Sequence, residues 1–128
     1  TAESADMTRL VRTTMRLRPD RIIIGEVRGA EALALLKAWN TGHPGGVTTI
    51  HANSARAALI RLSSLVQEAG VPPQPELIAE TINLLVFIVR TPTGRKVTEL
   101  VRVAGYNMRD GFSLGSVKLD QGTEAITA

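Results

Sequence analysis

Apolar positions along the chain change period several times, and each change marks an element. Met7, Leu10, Val11, Thr14 and Leu17 recur at helical spacing, with Arg9, Arg12 and Arg16 on the opposite face. This spacing predicts an amphipathic helix with Thr8 or Asp6 as its N-cap. Pro19 ends it, because a proline ring pushes the residue before it out of the α region. Ile22, Ile23 and Ile24 then form an unbroken β-branched run. Such a run, without alternation, predicts a strand over residues 21–25 that is covered on both faces in a parallel sheet. Residues 31–40 are apolar nearly all round (Leu33, Ala34, Leu35, Leu36, Ala38, Trp39) and predict a well-buried helix closed by Gly42.

Residues 47–50 read as a second short strand. Asn53 or Ser54 then caps a helix whose inner face is Ala55, Ala58, Leu59, Leu62, Leu65, Val66 and Ala69. Residues 70–75 hold three prolines and form a stiff loop, with Pro75 suited to the first turn of a short helix ending near Ile82. A strand over residues 84–90, a turn at Pro92-Thr93-Gly94, a strand over 96–106, a turn over 108–111 and a strand over 112–119 complete a meander. The order predicts an α/β fold in which parallel strands flanked by helices are joined to an antiparallel β meander. Residues 1–119 form one structural unit on this reading, and residues 120–128 a flexible tail.

Composition narrows the classes. A length of 128 residues suffices for a buried core. Cysteine is absent, which excludes disulfides and thiolate metal sites. Aromatic content of 3% argues against stacking platforms for single-stranded nucleic acid, although direct nucleic-acid contact stays open. The longest strongly apolar run, residues 82–89, is far short of the roughly 20 residues that cross a bilayer. A chain that opens on Thr1 without methionine reads as an excised segment of a longer protein. Net charge is only +3, but Arg9, Arg12, Arg16, Arg18, Arg21 and Arg28 fall in one short region. Guanidinium groups match phosphate and carboxylate geometry with paired hydrogen bonds, whereas arginines on a solvated helix face need no ligand.

Candidate chemistry lies where strands end. Glu26 follows Ile24-Gly25 at the carboxyl end of the first predicted strand, the edge at which ligands bind in open α/β sheets. A carboxylate there can orient or deprotonate a water aimed at a terminal phosphate, or hold magnesium through its shell. It reads equally as an ion-pair partner of Arg28 or Arg21. His51 follows the second predicted strand and can donate to a phosphate oxygen; read alone, it is a polar residue supporting a helix cap. His43 sits in Gly42-His43-Pro44-Gly45-Gly46, where it also reads as an exposed loop histidine. No third ligand stands at a recognised spacing from the two histidines, so no metal site is assigned.

Taken together, residues 17–32 (LRPDRIIIGEVRGAEA), residues 41–55 (TGHPGGVTTIHANSA) and Arg61-Leu62 resemble the secretion, or traffic, ATPases. These proteins power type IV secretion, conjugal DNA transfer, type II secretion and type IV pili. The family's variant Walker B box, with glycine before the glutamate, maps onto residues 21–26, and its His box onto residues 42–53. The resemblance spans about residues 7–103. GHPGG and HANSA, with residues 84–90 and Arg95-Lys96-Val97-Thr98-Glu99-Leu100, look most like the conjugal-transfer and type IV secretion branch.

The resemblance implies a carboxyl-terminal part of a RecA-like P-loop ATPase domain, ATP with Mg2+ as cofactors, and a homohexameric ring. It further implies a ring peripheral to the cytoplasmic face of the inner membrane, working with secretion or conjugation channel proteins. It implies catalytic roles for Glu26, as water activator, and His51, as sensor of the γ-phosphate, and nucleotide contacts for His43, Gly25 and Arg28. The Walker A loop with its lysine and the aspartate box do not occur within the 128 residues. The chain alone is therefore expected to be inactive and to hold neither ATP nor Mg2+. Two alternatives stand beside this reading: a non-catalytic oligomerisation or channel-docking module, and a segment of a type II secretion or type IV pilus ATPase.

Overall fold

The computed structural model describes residues 8, 9, 11, 25–42 and 45–117. In chain order they form α1 (Glu31–Asn40), α2 (Ala55–Gln67) and α3 (Pro75–Thr81), then β1 (Leu84–Thr91), β2 (Gly94–Asn107) and β3 (Gly111–Ser116). Thr8, Arg9 and Val11 are helical, and Val11 is buried in the core. The remainder of that predicted helix, residues 21–24 of the first predicted strand and the predicted tail lie outside the described residues.

α1 occupies the predicted span. Ala32, Leu35, Leu36 and Ala38 are buried, while Lys37 and Asn40 reach solvent. Glu31 in the first turn and Lys37 in the last complement the helix dipole. Past its end Gly42 takes φ +119°, a conformation that side chains disfavour. α2 starts where Ser54 caps it, the hydroxyl oxygen accepting the Ala57 N–H at 3.0 Å. Its inner face buries Ala55, Ala58, Leu59, Leu62, Leu65 and Val66 as predicted.

Ala69 departs from that pattern and is exposed. The α-helical ladder stops at Gln67, and the N–H groups of Glu68, Ala69 and Gly70 turn back to the carbonyls of Leu65, Val66 and Gln67. This tighter winding carries Ala69 off the apolar stripe before Gly70 exits at φ +83°. α3 begins on Pro75 and buries Ile78, and Asn40 Nδ2 donates to Glu80 Oε2 at 3.5 Å between α1 and α3.

The sheet has the order β1-β2-β3, with both pairs antiparallel. Its first hairpin turns on Pro92 and Thr93 between paired Thr91 and Gly94, and the Thr91 hydroxyl donates to the Gly94 carbonyl at 2.6 Å. The register shifts once in each ladder, between Phe87 and Ile88 and between Val103 and Gly105. Tyr106 and Phe112 meet edge to face across the second hairpin, with centroids 5.1 Å apart. Near the first turn Arg90 stands directly opposite Arg95. Helices and sheet share one core, in which Leu35, Leu36, Leu59, Leu65, Val66, Ile78 and Val103 are buried and Leu85, Phe112 and Leu114 pack against them.

The predicted strand over residues 47–50 is reduced to a single bridge at Val47. Its described neighbour is the short stretch from Gly25 to Val27, joined by the Val27 N–H to the Thr49 carbonyl at 2.9 Å and by the Thr49 hydroxyl to the Gly25 carbonyl. A ladder needs repeated pairing along both segments, and among the described residues one backbone bond joins them.

Removing the buried side chain in Leu59→Ala is expected to cost about 2–5 kcal/mol, and Ser54→Ala about 1 kcal/mol through the lost cap. Urea denaturation of the two variants checks the order and size of these losses.

Candidate active site

The site is built where two loops are stitched together. Val27 is buried, and its N–H bond to Thr49 anchors the loop after the first predicted strand to the loop before α2. Glu26 precedes that anchor and His51 follows Thr49 by two positions, so both side chains emerge on one side. Glu26 Oε1 lies 3.5 Å from His51 Nε2, a contact that becomes an ion pair when the imidazole is protonated. The carboxylate side chain is 23% exposed and the imidazole 87% exposed. Two residues 25 positions apart are thus brought together at a solvent-facing edge.

Arg28 holds the carboxylate from the other side. Its Nη2 donates to Glu26 Oε1 at 3.2 Å, and its Nε lies 3.2 Å from Oε2. This hydrogen bond holds Glu26 below the usual carboxylate range, and the charges of Arg28, His51 and Arg61 act in the same direction against a desolvation that opposes them. Of the two ion-pair partners expected from the sequence, Arg28 is the one described; Arg21 lies outside the described residues.

Behind Arg28, Glu31 sets the path of the turn. The residue is 2% exposed, and its Oε1 accepts the N–H groups of Arg28 at 2.9 Å and Gly29 at 3.2 Å. Oε2 is buried without a hydrogen-bond partner. The carboxylate therefore serves the donors that precede α1, where Ala30 supplies no side-chain cap.

His51, Ala52, Asn53, Ala57 and Arg61 line an open cleft of about 530 Å³ beside this pair. The start of α2 forms one wall, and two of its free donors are already used. Ala57 N–H goes to Ser54, and Ala55 N–H to Glu99 Oε2 at 3.3 Å, which ties β2 to the helix. Gly25 is exposed, its carbonyl accepts the Thr49 hydroxyl, and a Cβ built there would meet no atom within 4 Å. Packing therefore does not require glycine at that position. His43 lies outside the described residues.

Glu31, Glu99 and Arg61 carry parts of this geometry that were not assigned from the sequence. For Glu31 the signal was an acid directly after Gly29-Ala30 at a helix start lacking a Ser, Thr, Asn or Asp cap. For Arg61 it was the four-residue step from Ala57, which places both on one helix face. Glu99 had no local signal, since its partner is 44 positions away. Among the described residues no three His, Asp or Glu side chains gather as a metal ion would need.

A carboxylate, an imidazole and the capped start of α2 thus meet beside one open cleft. The model of the family described as "Type II/IV secretion system protein" matches residues 1–114, and the chain belongs to that family. Relatives include a probable conjugal transfer protein TrbB of Sinorhizobium fredii (strain NBRC 101917 / NGR234), 57% identical over 103 residues, covering 80% of this chain and 32% of that protein. The type IV secretion system protein VirB11 of Bartonella quintana (strain Toulouse) is 35% identical over 97 residues, covering 71% of this chain and 27% of its own length. Among solved structures, the VirB11 ATPase of the Brucella suis type IV secretion system, in complex with sulphate, aligns with a TM-score of 0.69 at 27% identity. That alignment covers 74% of this chain and 31% of the other, and it shows the RecA-like α/β fold expected from the sequence. The chain spans about a third of the length of the curated relatives it matches.

Because Arg28 favours the ionised form, Arg28→Ala is expected to raise the Glu26 pKa toward the ordinary glutamate value. Any stability drawn from ionised Glu26 is present at neutral pH and is lost as pH falls through the folded-state pKa. In the variant the folded and unfolded pKa values draw together, so this contribution is smaller at neutral pH and less of it is lost on acidification. Carbon-detected NMR titration of the Glu26 carboxyl in both proteins measures the difference.

Proposed function

We propose that this chain supplies the Walker B and His-box half of a hydrolytic site in a ring ATPase that powers conjugal DNA transfer or type IV secretion. The observation that carries the reading is the 3.5 Å approach of Glu26 and His51 beside an open cleft. Support for the transport process comes from relatives named as conjugal transfer and type IV secretion proteins, and from a solved relative named as an ATPase.

In the reaction a water oxygen bonds to the terminal phosphorus as the bond to the departing ADP oxygen breaks. The proton passes from water to phosphate or solvent. Glu26 orients that water by accepting its hydrogen bond. Arg28 lowers its basicity, which suits orientation better than full proton abstraction, and a loose phosphoryl-transfer transition state asks little of a base. His51 donates to a terminal-phosphate oxygen, a contact ADP cannot make, and so distinguishes the two nucleotide states. His43 and Gly25 belong to the same proposal, as residues flanking the nucleotide.

The donor set fits the phosphate end of ATP. The Arg28 and Arg61 guanidinium groups and the His51 imidazole stand around the Glu26 carboxylate. Sulphate, the ligand named with the solved relative, is a tetrahedral oxyanion of the same shape. Mg2+ would neutralise the phosphate charge when bound, and Glu26 is the carboxylate here that can reach its water shell. The phosphate-cradling glycine loop with its lysine is not among these 128 residues. Backbone donors of such a loop supply most of the phosphate binding in this class of fold, so the chain alone should neither bind ATP tightly nor turn it over. The assembly proposed is a homohexamer peripheral to the cytoplasmic face of the inner membrane, docked on channel proteins. No described helix is long and apolar enough to cross a membrane.

In the ring ATPase that contains this chain, Glu26→Gln should lower turnover by roughly 10²-fold or more with nucleotide binding largely kept. Hydrolysis near wild type would reduce Glu26 to an ion-pair partner of Arg28. His51→Ala should lower hydrolysis and narrow the difference between ATP and ADP states without shifting the melting temperature. Normal turnover with a lowered melting temperature would reject the sensor role. Micromolar ATP binding by the isolated 128-residue chain, measured calorimetrically, would overturn its expected inactivity.

A further inference from the structure

We propose that Arg61 is a catalytic residue of this site, whose guanidinium grips the terminal phosphate of ATP across the cleft from His51. The inference rests on the hydrolytic reading of Glu26 and His51 and names a further residue for the same site.

Three observations lead to it. Arg61 lines the open cleft together with His51, Ala52, Asn53 and Ala57. It stands one turn after Ala57 on α2, a helix fixed at its start by Ser54 and along its inner face by Leu59, Leu62 and Leu65. The guanidinium is therefore carried on a fixed stretch of helix backbone. Second, Arg61 is exposed and has no hydrogen bond or ion pair among the described residues, although Glu26 is near enough to feel its charge. Arg28, by contrast, is engaged with that carboxylate.

Third, the backbone at the start of α2 is a weak anion site. Ala57 N–H is held by Ser54 and Ala55 N–H by Glu99, whose carboxylate also opposes an incoming anion. Attraction for a phosphate in this cleft thus falls on side chains; His51, Asn53 and Arg61 can each donate to it, and among the cleft-lining side chains Arg61 is the one with a permanent positive charge. A guanidinium can place two parallel N–H bonds on phosphate oxygens and keeps its charge at any working pH. A nucleic-acid backbone is a poorer occupant, because Glu26 stands beside the cleft and would face a run of negative charge.

The test compares Arg61→Gln with Glu26→Gln in the ring ATPase containing this chain. Turnover is measured with MgATP, and affinity with ADP and with the non-hydrolysable analogue AMP-PNP. Arg61→Gln should lower kcat by roughly 10²-fold, the scale of losing one preorganised donor to a transition-state oxyanion. It should weaken AMP-PNP by about tenfold, leave ADP affinity unchanged and leave the melting temperature unchanged, as befits an exposed side chain. Arg61→Lys should recover AMP-PNP affinity better than kcat, because a point charge replaces a planar fork. Wild-type kcat in Arg61→Gln with a dead Glu26→Gln overturns the role of Arg61 alone. Wild-type kcat in both overturns the hydrolytic reading beneath it. Equal losses of ADP and AMP-PNP place Arg61 away from the terminal phosphate, and loss of single-stranded DNA binding with intact turnover assigns it to nucleic acid; either overturns the proposal. Should Arg61→Gln fail to fold, Arg61→Met keeps the stem without the charge, and wild-type kcat there overturns it.

Discussion

A buried carboxylate organises the edge that carries Glu26 and Arg28. Glu31 takes the N–H groups of Arg28 and Gly29 on a single oxygen, and this bends the chain between the end of the first predicted strand and the start of α1. Without an internal acceptor the buried Gly29 N–H would be left unpaired, at a cost of about 1–3 kcal/mol. Val27, packed beneath the same turn, fixes its depth. Everything displayed above follows from this geometry: Glu26 is turned outward, Arg28 folds back onto it, and the bond from Val27 to Thr49 brings the His51 loop alongside.

Much of the architecture was legible in the chain because local rules and tertiary packing agreed there. The helical stripe of α2, the serine that caps it, the proline that opens α3 and the turns of the meander are all features set by neighbours within a few positions. The 47–50 segment was misjudged because strand formation depends on a partner, and four apolar or β-branched residues do not report whether a ladder continues beside them. Ala69 failed for a smaller reason: spacing predicts a face but not the point at which a helix tightens and stops.

The candidate site divides along the same line. Glu26 and His51 could be found because each ends an apolar run, and strand ends in α/β folds are where ligands are met. Their mutual distance could not, since it depends on a hydrogen bond across 22 positions of chain between Val27 and Thr49. Glu99 was invisible for the same reason, its bond to Ala55 N–H joining β2 to the helix that carries the cleft wall. Arg28 shows how two readings of one residue coexist. The ion pair that sequence offered as a purely structural alternative is present, and it also sets the acidity of the carboxylate that would handle water.

One small feature of the meander opposes the pairing around it. Arg90 and Arg95 face each other across the first hairpin, and like charges in direct opposition weaken a strand pair. Dissolved ions at physiological strength shorten electrostatic reach to about 8 Å, which relieves such repulsion while loosening exposed attractions such as that of Arg28 for Glu26. Raising ionic strength should therefore close the hairpin tip as it frees the carboxylate. A single change of medium would shift two ends of the molecule in opposite senses.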